Sequence, residues 1–226
     1  MTPVERAVSV GAATVMTRRY PTADPARARL VLAHGAGADQ RHRVMVALSS
    51  GLAARGVEVV TFNFLYTEEG RRSPDRAPVL EQTWEAVVDV VAGDLSAEQR
   101  LVVGGKSMGG RMASMVLART PARASWARVS GLVLLGYPLH PPGKPEQPRT
   151  AHLPSIRVPV LLVHGTRDAF GTRAEIEPVF RALPTRVDYE FIEQGDHSFA
   201  VPKSTGLTEP AVLDRIAMRV ASWILG

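Results

Sequence analysis

Residues 101–119 read LVVGGKSMGGRMASMVLAR. A short apolar run, Arg100 to Val103, passes through Gly104 and Gly105 to a serine. Beyond it, Met112, Met115 and Val116 recur at helical spacing. The stretch therefore reads as strand, tight turn and helix, with Ser107 at the turn. Gly105-Lys106-Ser107-Met108-Gly109 is a G-x-S-x-G motif, which arises by chance in about one chain of this composition in ten. Its strand-to-helix setting is what gives it weight. In so tight a turn, side chains two before and two after the serine would collide, and the serine sits in a strained conformation that holds Oγ out at the top of the sheet. The helix that follows aims its N-terminus at the site, which favours developing negative charge. The plainer alternative is a serine that only caps the helix. A phosphate-binding loop ending Gly105-Lys106-Ser107 would need a glycine at position 100, where Arg stands, and residues 101–103 are strand rather than loop.

Working outward, further short apolar runs occupy residues 29–33 (RLVLA), 57–64 (VEVVTFNF), 129–135 (VSGLVLL), 158–163 (VPVLLV) and 187–192 (VDYEFI). Most are continuously apolar, as strands buried on both faces of a parallel sheet are. Helical patterns fill most gaps, at 39–55, 78–92, 108–119, 174–183 and 209–225, and residues 14–20 add a candidate edge strand. This alternation predicts an α/β fold with a doubly wound, mostly parallel sheet flanked by helices, in one domain over residues 1–226.

Such sheets gather their chemistry at the carboxyl ends of the strands. A serine hydroxyl needs an imidazole to take its proton. Of six histidines, His42 falls in a helical pattern, His140 and His152 in a proline-rich connection, and His34 and His164 precede glycines at strand ends, where they shape turns. His197 follows the final run and lies downstream of a strand-end carboxylate, Asp168. The set Ser107, Asp168, His197 has the chain order that accompanies a G-x-S-x-G turn. Asp168 would hold the imidazole's tautomer and stabilise its cation. The plain readings are a turn-capping aspartate and a surface-loop histidine.

A tetrahedral intermediate needs N–H donors. The Met108 N–H is one candidate, and the loop His34-Gly35-Ala36-Gly37 offers Ala36 as the other, with Gly37 in reserve. Asn63, Phe64, Tyr137, Phe170 and Phe199 are pocket candidates, with core packing the alternative for each aromatic. Residues 136–158 are proline-rich and too short for a full helical lid, which predicts an open site. Arg71 and Arg72 read as a solvated loop or as anion contacts, and the orientations of Lys106 and Arg111 beside the nucleophile are left open.

With 27 basic against 22 acidic residues the chain carries +5, but only Lys106, Lys144 and Lys203 are lysine and the arginines are scattered, which speaks against a nucleic-acid partner. There is no cysteine, so disulfides, thiolate catalysis and cysteine–zinc sites are excluded. The N-terminus carries charges where a secretory signal needs an apolar run, and no membrane-length apolar stretch occurs, so a cytoplasmic protein is expected.

Together, His34-Gly35, Gly105-x-Ser107-x-Gly109, Gly165-x-x-Asp168 and Gly195-x-His197 resemble the α/β-hydrolase superfamily from about residue 28 onward. Within it the chain is similar to small, lidless, dienelactone-hydrolase-like enzymes. The pieces around His34, Ser107 and Tyr137-Pro-Leu-His140 look like a branch that includes the hydrolase-like domain of a non-specific-lethal acetyltransferase complex subunit. Dienelactone hydrolases use a cysteine nucleophile, and this chain has a serine. The resemblance implies a serine hydrolase acting on a small acyl ester or thioester with no cofactor and no metal. A binding or scaffold module with an idle triad is the alternative, and the oligomeric state stays open.

Overall fold

The computed structural model describes residues 2–119 and 124–226. Its strands are β1 (Val4–Val10), β2 (Ala13–Tyr20), β3 (Ala28–Ala33), β4 (Val57–Phe62), β5 (Arg100–Lys106), β6 (Val129–Leu135), β7 (Val160–Gly165) and β8 (Val187–Ile192). The helices are α1 (Arg43–Ala53), α2 (Leu65–Glu68), α3 (Ala77–Gly93), α4 (Met108–Ala118), α5 (Ala124–Ala127), α6 (Arg173–Arg181) and α7 (Glu209–Leu225). One eight-stranded sheet has the order β1-β2-β4-β3-β5-β6-β7-β8. The β1–β2 and β2–β4 pairs are antiparallel and all the others parallel.

The apolar runs become strands because helices cover both of their faces. Every residue of β3, β4 and β7 is buried. On one face α1 and α7 bring Leu48, Leu52, Ile216 and Val220 onto Leu30, Leu32, Val59 and Leu161. On the other, α3 and α4 bring Trp84, Val88, Met112 and Val116 onto Val31, Phe62, Val103 and Leu134. A membrane-length apolar helix is absent among the described residues.

One ion pair is buried within this framework. Arg29 Nε meets Glu58 Oε1 across neighbouring strands, with both side chains 8% exposed, and Arg19 joins Glu58 from the next strand at 3.1 Å. Burying such charges is tolerable only because each neutralises the other.

The register places the site. β3 lies between β4 and β5, and the chain crosses from one side of β3 to the other through α3. Strand order reverses there, where a crevice opens above the strand ends. Ala33 pairs with Gly105, Lys106 with Leu135, and Leu135 with Val163. The turns after β3, β5, β6 and β7 therefore leave the sheet side by side.

The structure departs from the sequence expectations at several ends. The N-terminal ten residues contain β1, a largely exposed charged edge strand joined to β2 across Gly11, whose φ is 60°. Helix α1 starts at Arg43 rather than 39, because His42 occupies its N-cap and Nδ1 accepts from the Val44 N–H. Strand β4 stops at Phe62 although its apolar run continues to residue 64, and a single turn, α2, follows. Between β6 and β7 the chain forms nothing longer than the 3-10 turn Leu153–Ser155, so no helical lid covers the site.

Candidate active site

The turn after β5 is strained as its motif requires. Ser107 has φ 50° and ψ −116°, a conformation that L residues rarely adopt. The glycines beside it permit backbone-to-backbone packing. A Cβ at Gly105 would lie 2.5 Å from Gly109 C, and one at Gly109 would lie 2.5 Å from the His34 carbonyl oxygen. Gly104 and Gly110 are equally confined, the first by Val133 and the second by the Gly105 carbonyl. The turn is tied down further by the Ser107 N–H to the Leu135 carbonyl (2.9 Å) and by the Trp84 indole N–H to the Gly109 carbonyl (3.2 Å).

The three side chains chosen from separate strand ends meet. Ser107 Oγ lies 2.8 Å from His197 Nε2, and His197 Nδ1 lies 2.7 Å from Asp168 Oδ2. Asp168 is fully buried, and the Phe170 N–H donates to its other oxygen at 2.8 Å. Burial alone would raise its carboxyl, but the hydrogen bond and charge of His197, the charge of His164 and the Phe170 N–H together hold it below the ordinary range. It is an anion at neutral pH, so Nδ1 carries the proton and Nε2 is free to accept from the serine.

The loop bearing His197 is fixed from both sides. Asp196 Oδ1 accepts from the Ser198 and Ala200 N–H groups at 2.8 and 2.9 Å. Gly165 and Gly195 pack so closely that a Cβ on Gly165 would lie 2.4 Å from the Gly195 oxygen. His197 keeps 21% of its side chain exposed, and Phe170 lies against its ring with centroids 4.2 Å apart.

The loop after β3 runs alongside the serine: a Cβ at Gly35 would lie 3.5 Å from Ser107 Cβ. Neither the Ala36 nor the Met108 N–H donates to another group among the described residues. Sequence reading left His34 as a turn-shaper, and the structure specifies how it shapes the turn. The Phe64 N–H donates to His34 Nε2 at 3.3 Å, so the ring proton sits on Nδ1 and is donated to the Gly35 carbonyl at 2.8 Å. That carbonyl belongs to the same planar peptide as the Ala36 N–H, which is thereby aimed the opposite way. Burial lowers the His34 pKa and so favours the neutral ring, and the bond to Gly35 only partly opposes it. His164, the other strand-end histidine, bonds the Gly171 carbonyl at 2.6 Å and lies 3.6 Å from Asp168 Oδ2.

Most of the expected pocket residues are packed instead into the framework. Phe64 is fully buried, with its ring edge-on to His34 and Phe62. Tyr137 is 1% exposed, and its hydroxyl donates to the Arg149 carbonyl at 2.6 Å. Phe199 is equally buried, and Asn63 Oδ1 accepts from the Gln40 N–H. Apolar area at a strand end is worth more in the core than on a wet rim, which is why these rings turned inward. Asn63 and Phe170 stay partly open, and of the five it is Phe170 that lies against the imidazole.

Lys106 lies behind the imidazole. Its Nζ sits 5.3 Å from the Phe199 ring centroid, and burial lowers its pKa to about 8, partly offset by Asp168 and Asp196. Gly136, at φ 64°, leaves room for it, since a Cβ there would be 3.0 Å from Nζ. On the opposite side, a cleft of about 700 Å³ borders Ala36, Gly37, Tyr66, Thr67, Arg71 and Arg72. Arg71 is held by Glu69 and Asp75 at 2.6 and 2.7 Å, and Arg72 is exposed.

Chemically, a hydroxyl, an imidazole and a buried carboxylate in one hydrogen-bonded line can move a proton from oxygen to nitrogen while the carboxylate steadies the cation. Comparison with solved structures finds the same fold repeatedly. Dienelactone hydrolase from Anabaena variabilis superposes with a TM-score of 0.76 at 21% identity, covering 100% of this chain and 98% of that one. A serine hydrolase homologue from Coxiella burnetii gives 0.75 at 16% identity over 97% and 98%. A serine hydrolase without a lid from Xanthomonas campestris gives 0.71 at 13% identity over 99% and 92%. Residues 26–225 match the family described as "Alpha/beta hydrolase domain", so the chain belongs to the α/β-hydrolase domain family.

Proposed function

We propose that this protein is a serine hydrolase that cleaves a small carboxylic ester or thioester through an acyl-enzyme on Ser107. The observation that carries the reading is the unbroken line from Ser107 Oγ through His197 to Asp168, at 2.8 and 2.7 Å. In the first half-reaction His197 Nε2 takes the serine proton as Oγ attacks the carbonyl carbon. The Ala36 and Met108 N–H groups receive the developing oxyanion, helped by the N-terminus of α4. The imidazolium then protonates the leaving alcohol or thiol. In the second half-reaction His197 deprotonates a water, which releases the acid and restores Ser107. No cofactor takes part in this scheme. The unlidded site and the exposed edge of His197 suit a small or solvent-reaching acyl group.

The test is labelling with a fluorophosphonate probe of the wild type, Ser107→Ala and His197→Ala. Labelling of the wild type alone, mapped to Ser107, is expected. A folded wild type that takes no label would sink the enzymatic reading and move the protein to a binding module built on a hydrolase fold.

A further inference from the structure

Most arginines among the described residues are paired with a carboxylate or a carbonyl group. Those that are partly or fully buried meet carboxylates or backbone carbonyls: Arg29 with Glu58, Arg55 with Asp214, Arg128 with three carbonyl groups, Arg219 with Glu190. Arg111 and Arg149 differ. Both are partly buried, and among the described residues neither guanidinium reaches a hydrogen-bond acceptor or a carboxylate; the Arg111 Nε is wholly buried and unsatisfied. An unsatisfied buried donor on a cation is costly, and its presence asks for a missing partner.

The two cations also lie within electrostatic reach of each other. Burial first, and the Arg111 charge second, depress the Arg149 pKa. His152, pushed down to about 4 by burial and by Arg111, is neutral and accepts or donates only to Ser114 Oγ at 2.8 Å. Glu81, on which the Arg111 charge also acts, is already held by Arg119 at 2.6 Å. Among the described residues, then, no carboxylate pairs with either of these like charges.

Their position ties them to the active site. Arg111 stands one helical turn after Ser107, its N–H bonded to the Ser107 carbonyl at 3.0 Å. Arg149 is anchored through its backbone to Leu139 (2.7 Å) and to the Tyr137 hydroxyl (2.6 Å), in the connection that follows β6. In the same connection His140, which follows Leu139, donates its backbone N–H to the carbonyl of Phe170, whose ring lies on the imidazole of His197.

We propose that Arg111 and Arg149 form an oxyanion subsite beside the nucleophile, and that the substrate carries a carboxylate or phosphate that they receive. The inference rests on the hydrolase reading above and names its substrate class. A planar guanidinium matches either oxyanion with paired N–H donors, and a second one completes the clamp. One turn of helix is about 5.4 Å, so the anion lies several bonds from the scissile carbonyl.

The test compares matched esters on the wild type, Arg111→Gln and Arg149→Gln. 4-Nitrophenyl hydrogen adipate against 4-nitrophenyl hexanoate places the charge on the acyl side. The hexanoyl esters of 4-hydroxybenzoate and 4-hydroxybenzamide place it on the alcohol side. The wild type is expected to favour the charged member of one pair in kcat/KM by about tenfold or more. That preference should fall toward unity in each variant, while the neutral ester keeps its kcat/KM within about twofold. A wild type indifferent to charge in both pairs, or a preference untouched in both variants, overturns the subsite. Arg149→Gln, outside the helix, serves if Arg111→Gln does not fold. If nothing is hydrolysed and Ser107 takes no label, the hydrolase reading fails separately. Calorimetric titration with adipate and with inorganic phosphate then decides the subsite: binding of either that is lost in Arg149→Gln keeps it, and no binding of either overturns it.

Discussion

Replacing Asp168 by Asn alters one atom of a fully buried side chain, yet it should disable the proton relay. The Phe170 N–H, 2.8 Å from Oδ1, decides how the amide sits, because only the amide oxygen can accept there. The NH2 must then take the place of Oδ2, 2.7 Å from His197 Nδ1. It donates to Nδ1, forces the proton onto Nε2, and leaves Ser107 facing a donor instead of an acceptor at 2.8 Å. Restoring the useful tautomer would set two N–H groups against each other, and the imidazolium would lose its neighbouring charge. Loss of a charge-assisted hydrogen bond of up to ~3 kcal/mol plus that of the adjacent anion amounts to about 5 kcal/mol, or roughly ten-thousandfold in kcat. The assay is hydrolysis of 4-nitrophenyl hexanoate alongside the rate of fluorophosphonate labelling, with thermal unfolding to show that the variant is folded. A variant that keeps more than about a tenth of wild-type activity would refute the tautomer argument. Stability adds a second readout. The native carboxyl is held below 3.8, so the stability it confers is present above that pH and is lost as pH falls through the native value. The gap in Tm between wild type and Asp168→Asn should therefore close in acid.

Other perturbations follow from the same geometry. Gly109→Ala would drive a methyl to 2.5 Å from the His34 oxygen and 2.6 Å from that of Ala33, so it should cost about 1–3 kcal/mol and abolish labelling; an unchanged Tm would contradict the packing described. Glu58→Gln strips the buried Arg29 of its counter-charge and should lose about 3–5 kcal/mol, read as a lower urea midpoint, whereas a negligible change would show the pair to be solvated. Lys106 has a native pKa of about 8 against the ordinary 10.5, so between those values the unfolded chain holds a proton that the native one lacks, and stability should rise with pH across that window. Lys106→Met should flatten the rise and add at most about 3 kcal/mol at pH 7, less the share that residual solvent contact screens. A wild-type profile already flat from pH 8 to 10.5 would rule this out.

Much of the fold could be read from the chain because helices cover both faces of the sheet. A strand such as β7, with every residue buried, leaves an uninterrupted apolar run, and its end is marked where glycine and polar residues resume. The same punctuation led to Ser107, Asp168 and His197, since the site is built at those ends. Strand β1 escaped notice because an exposed edge needs little apolar surface and buries only Val8 and Val10. The aromatic residues at strand ends were left between pocket and core for the opposite reason: composition marks Phe64 and Tyr137 as apolar but not which way they turn. Arg111 was visible beside the motif, but its missing partner is a property of three-dimensional neighbours. Spacing could have hinted at Gly104 and Gly110, since four glycines stand among seven residues around the serine.

Those four glycines have a further consequence, for how such a protein can change over generations. Added Cβ atoms at positions 104, 105, 109 and 110 would fall 2.4 to 2.6 Å from main-chain atoms, so no neighbouring substitution can make room for them. The elbow is closed to drift. The connection from Gly136 to Val160 and the segment from Asn63 to Ala77 stand at the same rim and contain mostly loop, and a Cβ at their Gly70 or Gly143 would meet open space. Variation that retargets the enzyme has to accumulate there, and a library meant to alter selectivity belongs in those two segments, with the serine turn left untouched.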